Sequence, residues 1–129
     1  MSVQIVTPTC NIETVKDGRG GIFTWIPDEP ILEFNLLYFR PGKTRGFHYH
    51  PDFVEYILCV EGNGVLVTRD EPEDPSSEEH LVHLSKGICT RTDVGTYHTV
   101  YAITDMSLIA MLTKPWDECD PPIIRCDGG

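Results

Sequence analysis

The stretch from Gly42 to Gly62 reads GKTRGFHYHPDFVEYILCVEG and decides the interpretation of this 129-residue chain. Side chains on a β-strand point alternately to its two faces, so His48 and His50 would share one face. A turn after His50 and a second, antiparallel strand near Glu55 would return that carboxylate to the two imidazoles. The stretch therefore predicts two strands and half of a metal site.

A third imidazole follows in a later segment that glycines punctuate. His98 ends the sequence GICTRTDVGTYH, residues 87–98. Three imidazoles and one carboxylate suit a divalent first-row metal with open positions for water or substrate, and zinc, iron, manganese, nickel and copper all fit. We expect ligand distances of roughly 2.0 to 2.2 Å to one ion. The predicted metal ligands are His48, His50, Glu55 and His98.

Length and charge restrict the class of protein. With 129 residues, of which 40% are hydrophobic, the chain can bury one core, which predicts a single domain over 1–129. Neither an apolar run of roughly 20 residues nor a signal-peptide core is present, so we expect a cytoplasmic protein without a membrane partner. The formal charge of −10 argues against nucleic acid as a partner. An anionic ligand would need a local group of cations, for which the candidates are Lys43, Arg45 and Arg91.

The cysteines favour reduced thiols. Five cysteines form an odd set without short paired spacing, and nothing in the sequence indicates export. Cys59 lies in an apolar run and is expected to be a small buried residue. A disulfide or metal role for Cys119 and Cys126 is the alternative.

Turn residues divide the chain into short strands. Glycine and asparagine in residues 61–64 predict a β-hairpin, because both residues tolerate positive φ. No segment has a convincing amphipathic helical pattern. Short strands without intervening helices favour an antiparallel sandwich or barrel, and we predict an all-β jelly roll, the double-stranded β-helix. The predicted strands are 21–26, 31–39, 48–50, 56–60, 65–68, 81–84, 88–92, 98–103 and 107–112.

The predicted barrel spans about residues 20–113. The acidic, proline-rich segment 70–79 is unfit for a central strand and predicts a solvated loop, with a calcium site as the weaker alternative. His80 and His83 lie beside this segment and are expected at the surface. The predicted core includes Leu36, Ile57, Leu58, Leu66 and Ile109.

Both histidine segments resemble the motifs of the cupin family. The first has the cupin spacing without a gap, from Gly42 through the histidine pair and Glu55 to Gly62. The second matches at Gly87, Gly95 and His98. Asp93 stands where the family usually has proline and Ala102 where it often has asparagine. Neither position belongs to the predicted ligand set.

A closer resemblance covers residues 17 to about 118. The chain is similar to nucleotide-sugar-modifying cupins, which include dTDP-4-dehydrorhamnose 3,5-epimerases and dTDP-4-keto-6-deoxyhexose 3,4-ketoisomerases. It is most like the metal-bearing C-terminal cupin of capsular-polysaccharide UDP-sugar epimerase/reductases. The segments that carry the resemblance are 17–23, 45–50, 104–106 and 114–117.

This resemblance implies an isomerase that abstracts a proton beside the keto group of a 4-keto-6-deoxy sugar nucleotide. The histidine matching His48 is the base in metal-free relatives and a ligand in metal-bearing ones, and one imidazole cannot easily do both. Because Glu55 and His98 complete a coordination set, we interpret His48 as a ligand, and the base would then be Tyr97, Tyr49 or a hydroxide on the metal. Arg45, and less strongly Lys43, would hold the diphosphate.

The sequence leaves two other classes of function open and also predicts an oligomeric state. A cupin metal-dependent dioxygenase uses similar ligands, and a non-catalytic cupin would bind a metal or ligand only. The segment Val3–Val6 has the pattern of a spare strand that could pair with another subunit, which predicts a homodimer.

Overall fold

The computed structural model describes residues 3–7, 15–71 and 74–126. Apart from one 3₁₀ turn at Trp116–Glu118, its regular elements are β-strands. In chain order they are Val3–Ile5 (β1), Val15–Asp17 (β2), Gly20–Ile22 (β3), Glu33–Phe39 (β4), Thr44–Tyr49 (β5), Glu55–Glu61 (β6), Gly64–Arg69 (β7), Glu79–Leu84 (β8), Cys89–Thr92 (β9), Tyr97–Ala102 (β10), Met106–Leu112 (β11) and Ile124–Arg125 (β12).

The strands form two antiparallel five-stranded sheets and one small hairpin. The first sheet has the order β1-β9-β6-β11-β4, and the second has the order β12-β5-β10-β7-β8. The hairpin pairs β2 with β3. Since both large sheets are antiparallel and helices are nearly absent from the described residues, the predicted all-β class is confirmed.

The main core lies between the two large sheets. Strand β11 illustrates this arrangement. Its residues alternate strictly between buried positions, which face the core, and half-buried positions on the other face. Leu66 and Leu84 from the second sheet are fully buried against residues of the first, including Met106 and Leu108. Ile57 and Leu66 are therefore core residues, as predicted.

The prediction that Leu36 is a core residue was wrong. Its side chain is 62% exposed, and Phe34 and Tyr38 on the same face of β4 are 73% and 77% exposed. Ile109 lies opposite Leu36 in register and is half-buried on this outer face. Strand β4 reads EFNLLYF, with apolar residues on both faces, so alternation alone could not show which face is buried.

The predicted hairpin at residues 61–64 was also wrong, although the segment does turn. Strand β6 belongs to the first sheet and β7 to the second, so the segment carries the chain from one sheet to the other. Gly62 has a φ of 87°, and a Cβ there would lie 2.0 Å from the carbonyl oxygen of Asp105. A Cβ at Gly64 would lie 2.4 Å from the carbonyl oxygen of Tyr101. The glycines are therefore needed for close backbone contact as well as for turning.

Both ends of the described chain differ from the predicted strands. Strand β1 pairs with β9 of its own chain, with Val3 opposite Thr92, and forms one edge of the first sheet. The predicted strand 21–26 ends at Ile22, and Trp25 beyond it donates a hydrogen bond from Nε1 to the carbonyl of Val6 at 2.9 Å. The pairing of β12 with β5 was not predicted.

Three described cysteines, Cys59, Cys89 and Cys119, are buried free thiols, and Cys59 is only 1% exposed, as predicted. Burial raises the pKa of the Cys89 thiol to about 11. Cys10 lies outside the described residues.

The acidic segment forms turns before β8 begins at Glu79. Asp74 accepts hydrogen bonds from both the backbone N–H and the hydroxyl of Ser76, and residues 72–73 lie outside the description. His83 is exposed, and His80 lies 3.4 Å from a carboxylate oxygen of Asp70.

Among the described residues, no helix has the length and hydropathy that crossing a bilayer requires.

Candidate functional site

Elements from both sheets bring the predicted metal ligands together. Strand β5 carries His48, and His50 follows its last residue. His98 lies on β10, directly opposite His48 in register. Glu55 begins β6 in the other sheet, so its side chain reaches the histidines across the interior. The sequence had suggested instead that Glu55 lies on a strand next to the histidines.

A β-bulge at Phe47 directs His48 into the interior. Gly46 pairs with Thr99 and His48 pairs with His98, so Phe47 is an extra residue on β5. Its φ is 59°, an uncommon value for an aromatic residue, and its N–H donates to Thr99 Oγ1 at 2.9 Å. Because the bulge shifts the alternation by one residue, Arg45 and His48 both line the interior although they are three positions apart.

The imidazoles of His48, His50 and His98 offer ligand atoms that all lie within 4.8 Å of one another. Glu55 Oε1 lies 3.6 Å from His50 Nε2 and 3.5 Å from His98 Nε2. His50 and His98 are only 5% and 3% exposed. The four predicted residues are thus neighbours, and His50 and His98 are almost fully shielded from solvent.

Backbone carbonyls fix the tautomers of two histidines. His50 Nδ1 lies 3.1 Å from the carbonyl oxygen of Pro122, and His98 Nδ1 lies 3.1 Å from that of Thr96. A carbonyl only accepts, so each Nδ1 carries its proton and each Nε2 presents a lone pair. Those lone pairs and the carboxylate of Glu55 are all acceptors, which leaves an arrangement that a cation would complete.

Burial and charge keep these groups in the states that bind metals. Burial, and then the nearby His98 and His50, lower the pKa of His48 to about 3. Burial also lowers the pKa of His98. Neutral imidazoles at His48 and His98 are therefore favoured at neutral pH.

The cluster forms one wall of a cavity of about 640 Å³ between the sheets. Leucines and Ile57 line its apolar wall, and Trp116 lies beside His50 with ring centroids 6.3 Å apart. Arg45 and Arg125 supply cationic side chains to the same cavity. Its size and mixed lining suit a small organic ligand with a polar, anionic part.

Of the other predicted site residues, some line the cavity and some do not. Arg45 lines the cavity, whereas Lys43 lies in the exposed turn before β5. Tyr97 neighbours His98 on β10 and so points to the opposite face, where the Arg69 guanidinium lies 4.0 Å from its ring centroid. Neither Tyr97 nor Tyr49 lines the cavity. The structure does not bring either tyrosine to the histidine cluster.

Sequence reasoning missed the contribution of the segment after residue 119. Pro122 supplies the carbonyl that orients His50, and Ile123 and Arg125 line the cavity. The available signal was the apolar pair Ile123–Ile124 between the prolines and Cys126, which fits a short strand.

No family model matches this chain, and no curated protein matches it. Solved structures do match its fold. A 3,4-ketoisomerase from Helicobacter canadensis superposes with a TM-score of 0.81 at 15% identity, over 97% of this chain and 91% of that one. The 3,4-ketoisomerase QdtA from Thermoanaerobacterium thermosaccharolyticum, as a mutant in complex with TDP-4-keto-6-deoxyglucose, gives 0.75 at 17% identity, over 96% and 87% of the two chains.

A third match is the capsular polysaccharide assembling protein CapF from Staphylococcus aureus, with a TM-score of 0.67 at 26% identity. The match covers 85% of this chain and 32% of CapF, so the chain spans about a third of that protein. Two of these three neighbours are 3,4-ketoisomerases, and all three share the cupin jelly-roll fold. The predicted jelly roll and the predicted resemblance are therefore confirmed.

Proposed function

We propose that this chain is a metal-dependent cupin isomerase that enolises the keto sugar of a nucleotide sugar, with a 4-keto-6-deoxy sugar as the substrate class. The observation that carries the proposal is the group of acceptor atoms at the cavity wall. Two imidazoles are oriented by backbone carbonyls so that their Nε2 atoms face the carboxylate of Glu55. The fold neighbours, a ketoisomerase with bound TDP-4-keto-6-deoxyglucose among them, supply the substrate class.

The donor set fits one divalent ion. His50 and His98 have the N–H-to-carbonyl contacts that metal-ligating histidines usually make, and Glu55 contacts both. Bound there, the ion would act as a Lewis acid toward a keto oxygen. His48 lies within reach as a fourth group, but its buried Nδ1 has no hydrogen-bond partner. His48 therefore lacks the orientation by a second residue that the other two histidines have.

We assign His48 the role of general base, with His50, Glu55 and His98 as the metal-holding set. Its lowered pKa of about 3 keeps the imidazole neutral at neutral pH, so that a ring nitrogen can accept a proton, although an imidazole with this pKa is a weak base. The bulge at Phe47 points this ring into the cavity, one wall of which is apolar. Tyr97 and Tyr49, the alternative bases, lie outside the cavity lining.

Solvent exchange tests this function directly. The protein is incubated in heavy water with dTDP-4-keto-6-deoxyglucose or its UDP analogue, and deuterium at C3 and C5 is measured by NMR. We expect incorporation by the wild type, loss of incorporation in His48→Gln with metal content retained, and wild-type behaviour in the exposed control His83→Gln. Oxygen consumption with substrate would instead identify a dioxygenase, and binding without exchange or oxygen uptake would identify a non-catalytic cupin.

Metal analysis of tag-free protein separates the two possible roles of His48. If His48→Gln loses its metal as completely as His50→Ala, His48 is a ligand and the base is another group. The same measurement identifies the metal among zinc, iron, manganese, nickel and copper.

We also propose that the chain forms a homodimer. Strands β1 and β4 are the two edges of the first sheet, and the support for a dimer comes from the outer face of β4. Phe34, Leu36 and Tyr38 expose 62–77% of their surfaces there as one apolar row. Light scattering at micromolar concentration should give twice the chain mass, and Leu36→Lys should give monomers. A monomeric wild type would contradict the proposal.

A further inference from the structure

The short C-terminal strand β12 lies beside the histidine cluster and is held at three points. Ile124 and Arg125 pair with Tyr49 and His48 of β5. Beyond the strand, the Cys126 N–H donates to the carbonyl of Phe47 at 2.8 Å. Before it, the Pro122 carbonyl accepts from His50. Strand β12 and the residues beside it are therefore bonded to residues 47–50, which include the site histidines His48 and His50.

This attachment sets the direction of Arg125. Residues opposite each other in a sheet point to the same face, and His48 points into the cavity. Arg125 accordingly lines the cavity.

Arg125 and Arg45 carry charge that the described residues do not neutralise. Across residues 3–7, 15–71 and 74–126, neither guanidinium has a carboxylate within ion-pairing distance, whereas Arg19 and Arg91 are both paired. The whole chain has a formal charge of −10, so carboxylates are plentiful. Two cations that face one cavity without such partners suit an anionic ligand.

The spacing of the two arginines indicates the size of that anion. Arg45 lies on β5 three positions before His48, and Arg125 lies beside His48 on the next strand. Because Phe47 is a bulge, Arg45 and His48 are only two register positions apart along β10, and Arg125 lies one strand away, so the two backbones are separated by on the order of 8 Å. Two long side chains can close that distance around a diphosphate, which offers each guanidinium its own phosphate oxygens.

We propose that Arg125 is a binding residue for the diphosphate of a nucleoside diphosphate ligand and acts together with Arg45. The inference rests on the proposed function for the identity of the ligand, but it is tested by binding alone. Strand β12 thereby adds a specificity-determining side chain to a site whose other members come from the central strands.

Calorimetric titration tests the proposal with dTDP, UDP, inorganic pyrophosphate and the uncharged nucleoside thymidine. Arg125→Ala should weaken dTDP, UDP and pyrophosphate binding by about tenfold or more, the range for hydrogen bonds to charged groups. Arg125→Lys should restore part of the loss because it keeps the charge without the planar fork. Arg19→Ala is the matched control, since its guanidinium is 90% exposed and pairs with Asp17 away from the cavity.

The outcomes distinguish this inference from the proposed function. Equal nucleotide affinity in Arg125→Ala and Arg19→Ala overturns it, even if deuterium exchange proves the isomerase activity. Weaker dTDP binding in Arg125→Ala with unchanged thymidine binding supports it, even if no exchange occurs. Circular dichroism and metal content of Arg125→Lys establish that the fold and the histidine cluster are intact.

Discussion

Two consecutive residues of β6, Glu55 and Tyr56, serve polar clusters on opposite faces of the first sheet. On the outer face, the Tyr56 hydroxyl donates to Glu29, and Arg91 binds the same carboxylate through Nη2 at 2.5 Å and Nε at 3.2 Å. Arg91 Nη1 also contacts Asp93 at 2.6 Å. Every charge in this outer cluster has an opposite partner.

The inner cluster around Glu55 is different in kind. Glu55 faces two imidazole nitrogens that present lone pairs, and the Nδ1 of His48 and the Nε2 of His50 have no hydrogen-bond partner. Buried polar atoms normally find partners, because leaving them unpaired costs free energy. The comparison teaches that the outer cluster is structurally complete, whereas the inner cluster is arranged for something that binds to it.

The largest expected effect is on metal binding, which should depend on the inner cluster and not on the outer one. His50→Ala should lower metal affinity by on the order of 100-fold or more, since loss of a ligand should exceed the roughly 10- to 100-fold cost of losing an outer-shell partner. Metal content by mass spectrometry and affinity by competition with a chelator measure this. His83→Ala is the control because its ring is exposed on β8. Retention of full metal content by His50→Ala would contradict the assignment of the inner cluster.

The next effect concerns the backbone beneath the inner cluster. Gly46 has a φ of 132°, and a Cβ there would lie 2.6 Å from the carbonyl oxygen of His98. Gly46→Ala should therefore lower the free energy of unfolding by about 3 kcal/mol. Gly42→Ala should cost only about 1 kcal/mol, because Gly42 has positive φ but open space around the added atom. Equal losses in urea denaturation would show that the close contact with β10 is unimportant.

A smaller effect tests the bulge that directs His48. Thr99 is 1% exposed and its hydroxyl accepts from the Phe47 N–H, so Thr99→Val leaves a buried donor unpaired. We expect a loss of about 1 to 2 kcal/mol in unfolding free energy, with Thr99→Ser close to wild type. Deuterium exchange into the substrate should fall in Thr99→Val and recover in Thr99→Ser. A stable Thr99→Val variant with full exchange would contradict the positioning role.

The smallest effect belongs to the outer cluster and depends on pH. The hydrogen bonds from Arg91, and then from Tyr56, lower the pKa of Glu29. A lowered pKa stabilises the fold above the pKa of the unfolded chain, and this contribution is lost as the pH falls through the folded value. Glu29→Gln should be about 1 kcal/mol less stable than wild type at pH 7, with the difference disappearing once the pH falls below the lowered pKa of Glu29. A difference that is independent of pH would exclude the ionised carboxylate as its source, and metal content should not change.

Much of the fold could be predicted because it depends on local signals. Alternation and turn residues located strands such as β8, β10 and β11, and spacing selected the histidines that the structure places together. The errors arose where the outcome depends on distant partners. Leu36 faces outward because β4 is an edge strand with apolar residues on both faces, and residues 61–64 join two sheets because Gly62 packs on the 105–106 backbone.

The sequence by itself determined the chemistry of the site: three imidazoles, one carboxylate and one nearby guanidinium at cupin spacing. Spacing and alternation are local properties, so they could be read without coordinates. Only the tertiary structure decided how these groups are used. The register between β5 and β10 creates the bulge that points His48 inward, and a carbonyl 72 residues away in the chain sets the tautomer of His50. Strand β12 adds Arg125 through pairing that no local pattern specifies, because backbone hydrogen bonds between strands carry no residue code.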